Sequence, residues 1–194
     1  MTTTSWEHLD RAHDALRTVT AGVAGSGWTR PTPCEKWNTA QVLRHAAGDQ
    51  LAYAAAITGS GGPDENPFEP AADPPGDPLA MLETALEGSA RAFTAVARDA
   101  QAVPVPLPNG PLPAETAVGA AALDAAVHAW DIAAATGQGS PLSPELAEWL
   151  MPVAQAIVEP LRGFAYAPAL DPRPGDDAAA ALLRYLGRDP QPAR

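Results

Sequence analysis

Apolar residues recur along this chain with the 3.6-residue period of helices and almost nowhere with the alternation of strands. Trp6, Leu9, His13, Leu16, Thr20 and Val23 predict an amphipathic first helix over residues 5–24, with Ser5 as its cap and Gly25 to Gly27 as its stop. A second helix-like segment runs from Ala40 to Ile57, and Leu79, Leu82, Leu86, Phe93 and Val96 mark a third from Asp77 to Asp99. A fourth follows Pro113, with Glu115 in its first turn, and ends before Gly137 and Gly139. A fifth starts at Ser143-Pro144 and continues through Trp149 and Val153 to Val158, with a kink expected at Pro152. A short last helix spans Asp176 to Leu186. On this pattern His13 belongs to the core or its boundary, while His8 faces solvent.

The segments between these helices carry their own signals. Pro31 and Pro33 keep residues 28–37 in a loop. Asn38 then caps the second helix, Gln41 answers it at N3, and Trp37 and Val42 occupy the two positions of a hydrophobic staple. The helix entry, and with it the direction of His45 two turns in, is thereby fixed from both its polar and apolar sides. Residues 59–78 form a Gly/Pro/acid connector whose composition fits either a flap over one end of the helices or a passive link. Residues 103–113 read as extended, with a turn at Asn109-Gly110.

Composition sharpens the class. Alanine dominates, β-branched and aromatic runs are scarce, and the 22 prolines cluster between helices, so the fold class is all-α. With 194 residues and 46% hydrophobic content, one domain with a sizeable core is expected over residues 1–194. A net charge of −11 with 12 Lys and Arg argues against nucleic acid and against an anionic membrane surface as partners. There is no apolar run of transmembrane length, and the N-terminal stretch lacks the basic and apolar regions of a signal peptide. Cys34, the single cysteine, has no internal partner for a disulfide, so a cytoplasmic setting is the expectation. As a nucleophile it would need a cationic neighbour; a small residue packed under the loop is the simpler reading.

The candidate chemistry lies in residues 120–136. Asp124, His128 and Asp131 fall at i, i+4 and i+7, which stacks an acid, an imidazole and an acid on one face of an alanine-rich helix. Burying such a stripe calls for a metal ion or a hydrogen-bonded network. His45 and Asp49 repeat the i, i+4 spacing on the second helix, so two facing helices could close around one divalent cation. Imidazole and carboxylate suit Zn, Fe, Ni or Mn, and two histidines with one carboxylate leave an open position for water or substrate. The alternative is a His–Asp hydrogen bond within one helix, with His45 facing solvent. No G-x-S-x-G elbow supports a serine hydrolase. Trp37 and Trp130 read as packing residues.

The residues TPCEKW at 32–37, the His45 helix, LDAAVHAWDIA at 123–133 and LLRYLGRDP at 182–190 together resemble the mycothiol-dependent maleylpyruvate isomerase-type metal-binding proteins of the DinB/YfiT-like superfamily. The resemblance implies an antiparallel four-helix bundle, DinB-like, with extra short C-terminal helices. It also implies one divalent metal, zinc above Ni, Fe or Mn, held by His45, Asp124 and His128. Asp131 would then orient His128 or cap nearby backbone, and Asp49 receives no role. The isomerase resembles this chain in its metal-binding domain and carries a further C-terminal domain. The function implied is a thiol-dependent S-transferase or isomerase that acts on a small electrophile through a metal-activated thiolate. Its partners would be a small-molecule substrate and a low-molecular-weight thiol, with a homodimer as the assembly to test. The competing expectation is a non-catalytic metal-binding or small-molecule-binding helical bundle. A composition rich in Ala, Pro and Arg with Lys36 as the sole lysine suits a high-GC actinobacterium, the group that makes mycothiol.

Overall fold

Alanine occupies so much of the stretch after Pro113 that the helix it forms can be approached closely on every side. In the computed structural model, which describes residues 6–34 and 36–192, this helix is the hub. It spans Ala114–Thr136 (α4), every residue from 117 to 133 is buried, and Gly137 ends it in the left-handed conformation at φ 74°. A helix buried all round belongs at the centre of a fold.

The others surround it: Glu7–Ala21 (α1), Thr39–Thr58 (α2), Pro78–Thr94 (α3), Pro144–Ile157 (α5) and Ala178–Tyr185 (α6). Helix α1 packs against α4 and α3, and α2 against α3 and α4. Helix α5 covers another side of α4 and carries α6 on its back. The fold is therefore all-α, with no named strand among the described residues. Leu9, Leu16, Leu43, Leu86, Phe93 and Leu123 are among the side chains fully withdrawn from water, which makes one continuous apolar core. Where α5 crosses α4, Gly119 leaves space for Val153: a β-carbon there would lie 2.5 Å from Val153 Cγ2. None of the described helices is long and apolar enough to cross a membrane.

Most helix starts follow the sequence signals. Asn38 accepts from the Gln41 backbone N–H and Gln41 returns the bond, a complete capping box. Asp77, Ser143 and Asp177 cap α3, α5 and α6. Helix α1 is shorter than the periodicity suggests, since a 3-10 turn over Gly25–Thr29 follows it; Ser5 lies outside the described residues. Helix α3 also stops early, at Thr94, because residues after it turn towards a short antiparallel bridge between Val103 and Leu112. Gly110, at φ 77°, closes that bridge as the Asn-Gly pair predicts. His8 is not solvent-facing: it is half-buried, its ring stacked on Trp149 at 4.3 Å, since α5 lies over the start of α1.

The connector of residues 59–77 is a flap and not a passive link. Three polar side chains on one stripe of α2 donate to its backbone: Asn38 to Ala72 O, Gln41 to Pro70 O and Arg44 to Asp73 O. Gly48 allows Pro67 to press against the same helix, since a β-carbon at that position would lie only 3.0 Å from Pro67 Cγ. The flap is thus held directly above His45.

Candidate metal centre

His45 sits two turns inside the capped end of α2 and is 6% exposed. Its Nδ1 lies 2.9 Å from the carbonyl oxygen of Pro67 in the flap. A carbonyl can only accept, so Nδ1 carries a proton and Nε2 is the nitrogen that the neutral ring offers as a ligand. His128 on α4 is fixed in the same sense: its Nδ1 donates to Asp131 Oδ2 at 3.0 Å, which again leaves Nε2 bare. The two imidazoles meet edge to face at 4.8 Å.

Asp124 joins them from one turn earlier on α4. Its Oδ1 lies 3.4 Å from His128 Nε2 and 3.8 Å from His45 Nε2. Ligand atoms of His45, Asp124 and His128 all lie within 4.8 Å of one another. Three electron-pair donors converge there, and a neutral imidazole brings no proton to the meeting point. Among the described residues Asp124 Oδ2 is buried with no hydrogen-bond partner. A divalent cation fits this set by its chemistry: two imidazoles and one carboxylate, each imidazole held from behind by an acceptor on its other nitrogen.

Electrostatics prepare the same state. Burial lowers the His128 imidazole to about 4, so it is neutral near pH 7 and available as a ligand. Burial pushes the Asp124 carboxyl well above its ordinary range, and the nearby Asp49 carboxylate adds to this. Asp131 goes the other way. Burial alone would raise its carboxyl, but Arg188 beside it and the hydrogen bonds from His128 and Arg188 bring it down to about 2. Arg188 donates to both oxygens, Nε to Oδ1 at 2.9 Å and Nη2 to Oδ2 at 2.8 Å. Asp131 therefore stays ionised at full burial and orients His128, as a partner of the imidazole and not a member of the converging set.

The group opens into a cavity of about 610 Å³, within the range of small-molecule sites. Asp49 lies on its wall, Oδ2 3.7 Å from His45 Nε2 and beside the three converging residues. Its carboxyl is raised by burial, against the pull of His45. Tyr53 and Tyr166 also face the cavity, and burial holds both phenols above their ordinary range, so they remain O–H donors. Pro106, Leu107 and Pro108, from the segment between α3 and α4, close one side. Trp130 packs in the core as expected; Trp37 packs against its edge and also lines the cavity, with its ring 4.5 Å from that of His45. Cys34 is partly buried against the core and also reaches the cavity wall.

Sequence reasoning brought together His45, Asp124, His128 and Asp131, and missed Arg188. A signal for it existed: an acid on the most apolar helix of the chain demands a cation, and few cations are available.

A family profile described as "mycothiol maleylpyruvate isomerase N-terminal domain" matches residues 9–133, which include His45, Asp124, His128 and Asp131. Two proteins of Mycobacterium tuberculosis, from strains CDC 1551 / Oshkosh and H37Rv and both bearing the name of uncharacterized proteins, are each 35% identical to this chain over 189 residues. The aligned region covers 92% of this chain and 94% of each relative. No solved structure matches.

Proposed function

We propose a function from one premise: this chain belongs to the family of the mycothiol maleylpyruvate isomerase N-terminal domain. The function is that of a metal-dependent, thiol-using enzyme, an S-transferase or isomerase acting on a small electrophile with mycothiol or a similar low-molecular-weight thiol as co-substrate. The observation that carries this reading is the convergence of His45 Nε2, His128 Nε2 and Asp124 Oδ1 on one point that opens into the cavity. These three residues would hold the ion, zinc first among divalent metals that accept imidazole and carboxylate, with Ni, Fe and Mn sharing the same donor chemistry. The chemistry such an ion supplies when bound is acidification of a thiol, whose sulfur then reacts as thiolate near neutral pH.

The chain's own residues supply the rest. Pro67 O and Asp131 Oδ2 hold the two imidazoles in the tautomer that presents Nε2 to the cavity. Asp49 Oδ2 stands next to His45 Nε2, where it can take up a proton released at the cavity floor. The phenols of Tyr53 and Tyr166 offer hydrogen bonds to an oxygen of a bound molecule. Apolar walls from the α3–α4 segment exclude water and strengthen these interactions.

The test is thiol transfer by the full-length chain to a chromogenic electrophile, with mycothiol and cysteine compared as co-substrates. Turnover that saturates in thiol, is lost on chelation and returns with zinc supports the reading. Full turnover after complete metal removal contradicts it. Bound metal with no thiol-dependent turnover contradicts it too, in favour of a non-catalytic metal-binding bundle.

A further inference from the structure

We infer that the electrophile this cavity accepts is a neutral aromatic molecule, seated against Phe68 and Phe164 at the mouth. The term electrophile rests on the thiol-using reading above; the binding of an aromatic ring does not. Of the three phenylalanines in the chain, Phe93 is fully buried, while Phe68 and Phe164 are 46% and 70% exposed. These two come from segments far apart in sequence, the flap and the loop after α5, yet their rings meet at 5.2 Å and both border the cavity. Aromatic surface left in water loses the burial that would otherwise stabilise it, and a contiguous apolar patch beside a cavity marks a place that a ligand covers.

The patch continues inward. The Phe68 ring lies 5.5 Å from His45, and Trp37 flanks the same imidazole, so aromatic faces run from the mouth to the converging ligand atoms. A planar ring entering there finds edge and face partners along the whole path. The volume is sufficient: a cavity of roughly 150 Å³ holds benzene, and this one is about 610 Å³, with room for a thiol alongside. Among the described lining residues the lysine and arginine side chains are Lys36 and Arg188, and Arg188 is already bound to both oxygens of Asp131, so the protein walls offer few partners to a charged ligand. Phe164, one of the two rings at the mouth, lies beyond the 9–133 segment shared with the family profile, while Phe68 lies within it.

The experiment is calorimetric titration of the full chain, zinc-loaded and metal-free, with no thiol present. The probes are 2-naphthol, decahydro-2-naphthol as its non-aromatic counterpart, and maleate as a dicarboxylate. Binding of 2-naphthol to the metal-free chain on the order of tenfold tighter than either of the others is the expected result. Phe68→Leu and Phe164→Leu should each weaken it by about three- to tenfold, because each removes one ring contact and keeps the apolar volume. Both positions are exposed enough for the variants to fold, which a thermal melt checks. Tighter binding of maleate to the metal-free chain, where no ion can ligate it, or naphthol binding untouched by both substitutions, overturns the inference. So does a dimer in sedimentation that Phe164→Ser disperses while naphthol fails to bind, for then a second copy covers the patch. Because no thiol takes part, a chain that binds naphthol but transfers no thiol keeps this inference and loses the proposed function; the converse result separates them equally well.

Discussion

Arg188 lays two guanidinium nitrogens on the two carboxylate oxygens of Asp131, 57 residues away in sequence and wholly inside the protein. The remaining link is Asp131 Oδ2 to His128 Nδ1, so the C-terminal segment acts on the candidate metal centre through a fixed relay. Removing one partner leaves an uncompensated charge in the core. Arg188→Met should therefore cost on the order of 3–5 kcal/mol, whereas Arg188→Met combined with Asp131→Leu should recover much of that loss. Zinc affinity should behave differently, falling by roughly 10–100-fold in the double variant because His128 has lost its orienting acceptor. Urea unfolding and a competitive zinc titration on the same proteins separate the two effects. Equal zinc affinity in wild type and double variant would show that Asp131 does not position the imidazole.

Gly48 lies one turn beyond His45 on its stripe and faces the flap. An alanine in a helix interior gains up to about 1 kcal/mol over glycine. Here its β-carbon would lie 3.0 Å from Pro67 Cγ, and Pro67 O is the acceptor that holds His45 Nδ1. Gly48→Ala should thus leave the melting temperature unchanged or higher while weakening zinc binding several-fold. A fall in both together would mean that the substitution acts on the fold and not on the flap.

His13 supplies a pH signature from a residue that does not line the cavity. Its ring is buried and bonded to Gln50 Oε1 at 3.0 Å, and burial lowers it from 6.5 to about 4, with the Gln50 bond acting in the opposite direction. Between those two values the unfolded chain binds a proton that the folded chain refuses. Stability is then fully present above pH 6.5 and falls as the pH drops towards 4, by about 1.4 kcal/mol per pH unit for one such group. In metal-free protein His128, also lowered to about 4, acts with the same sign. Denaturant unfolding at pH 7.5 and 5.5 should show a steeper loss in wild type than in His13→Gln. Parallel losses would remove His13 from the account.

What the sequence revealed was what is local. The capping box of Asn38 and Gln41, the Ser143 cap and the Asn109-Gly110 turn each depend on residues within four positions, so their signals survive without a structure. The stripe of Asp124, His128 and Asp131 is equally local, since helical geometry alone puts them on one face. The partners of that stripe are not local. Arg188 reaches Asp131 across the whole C-terminal segment, Pro67 reaches His45 from an irregular connector, and Trp149 stacks on His8 from another helix. Trp37 shows the same limit: its staple position was evident, but its role in the cavity depends on where the flap and the α3–α4 segment come to rest.

The claim on which all of this depends is that His45, Asp124 and His128 bind one ion together. The most direct measurement is elemental analysis with a competitive zinc titration on tag-free protein, wild type against His128→Ala and Asp124→Asn. About one divalent ion per chain in the wild type, lost on removal of His128 and weakened at least tenfold by Asp124→Asn, is the predicted result. No bound metal in the wild type after incubation with zinc, or unchanged binding in both variants, would contradict it.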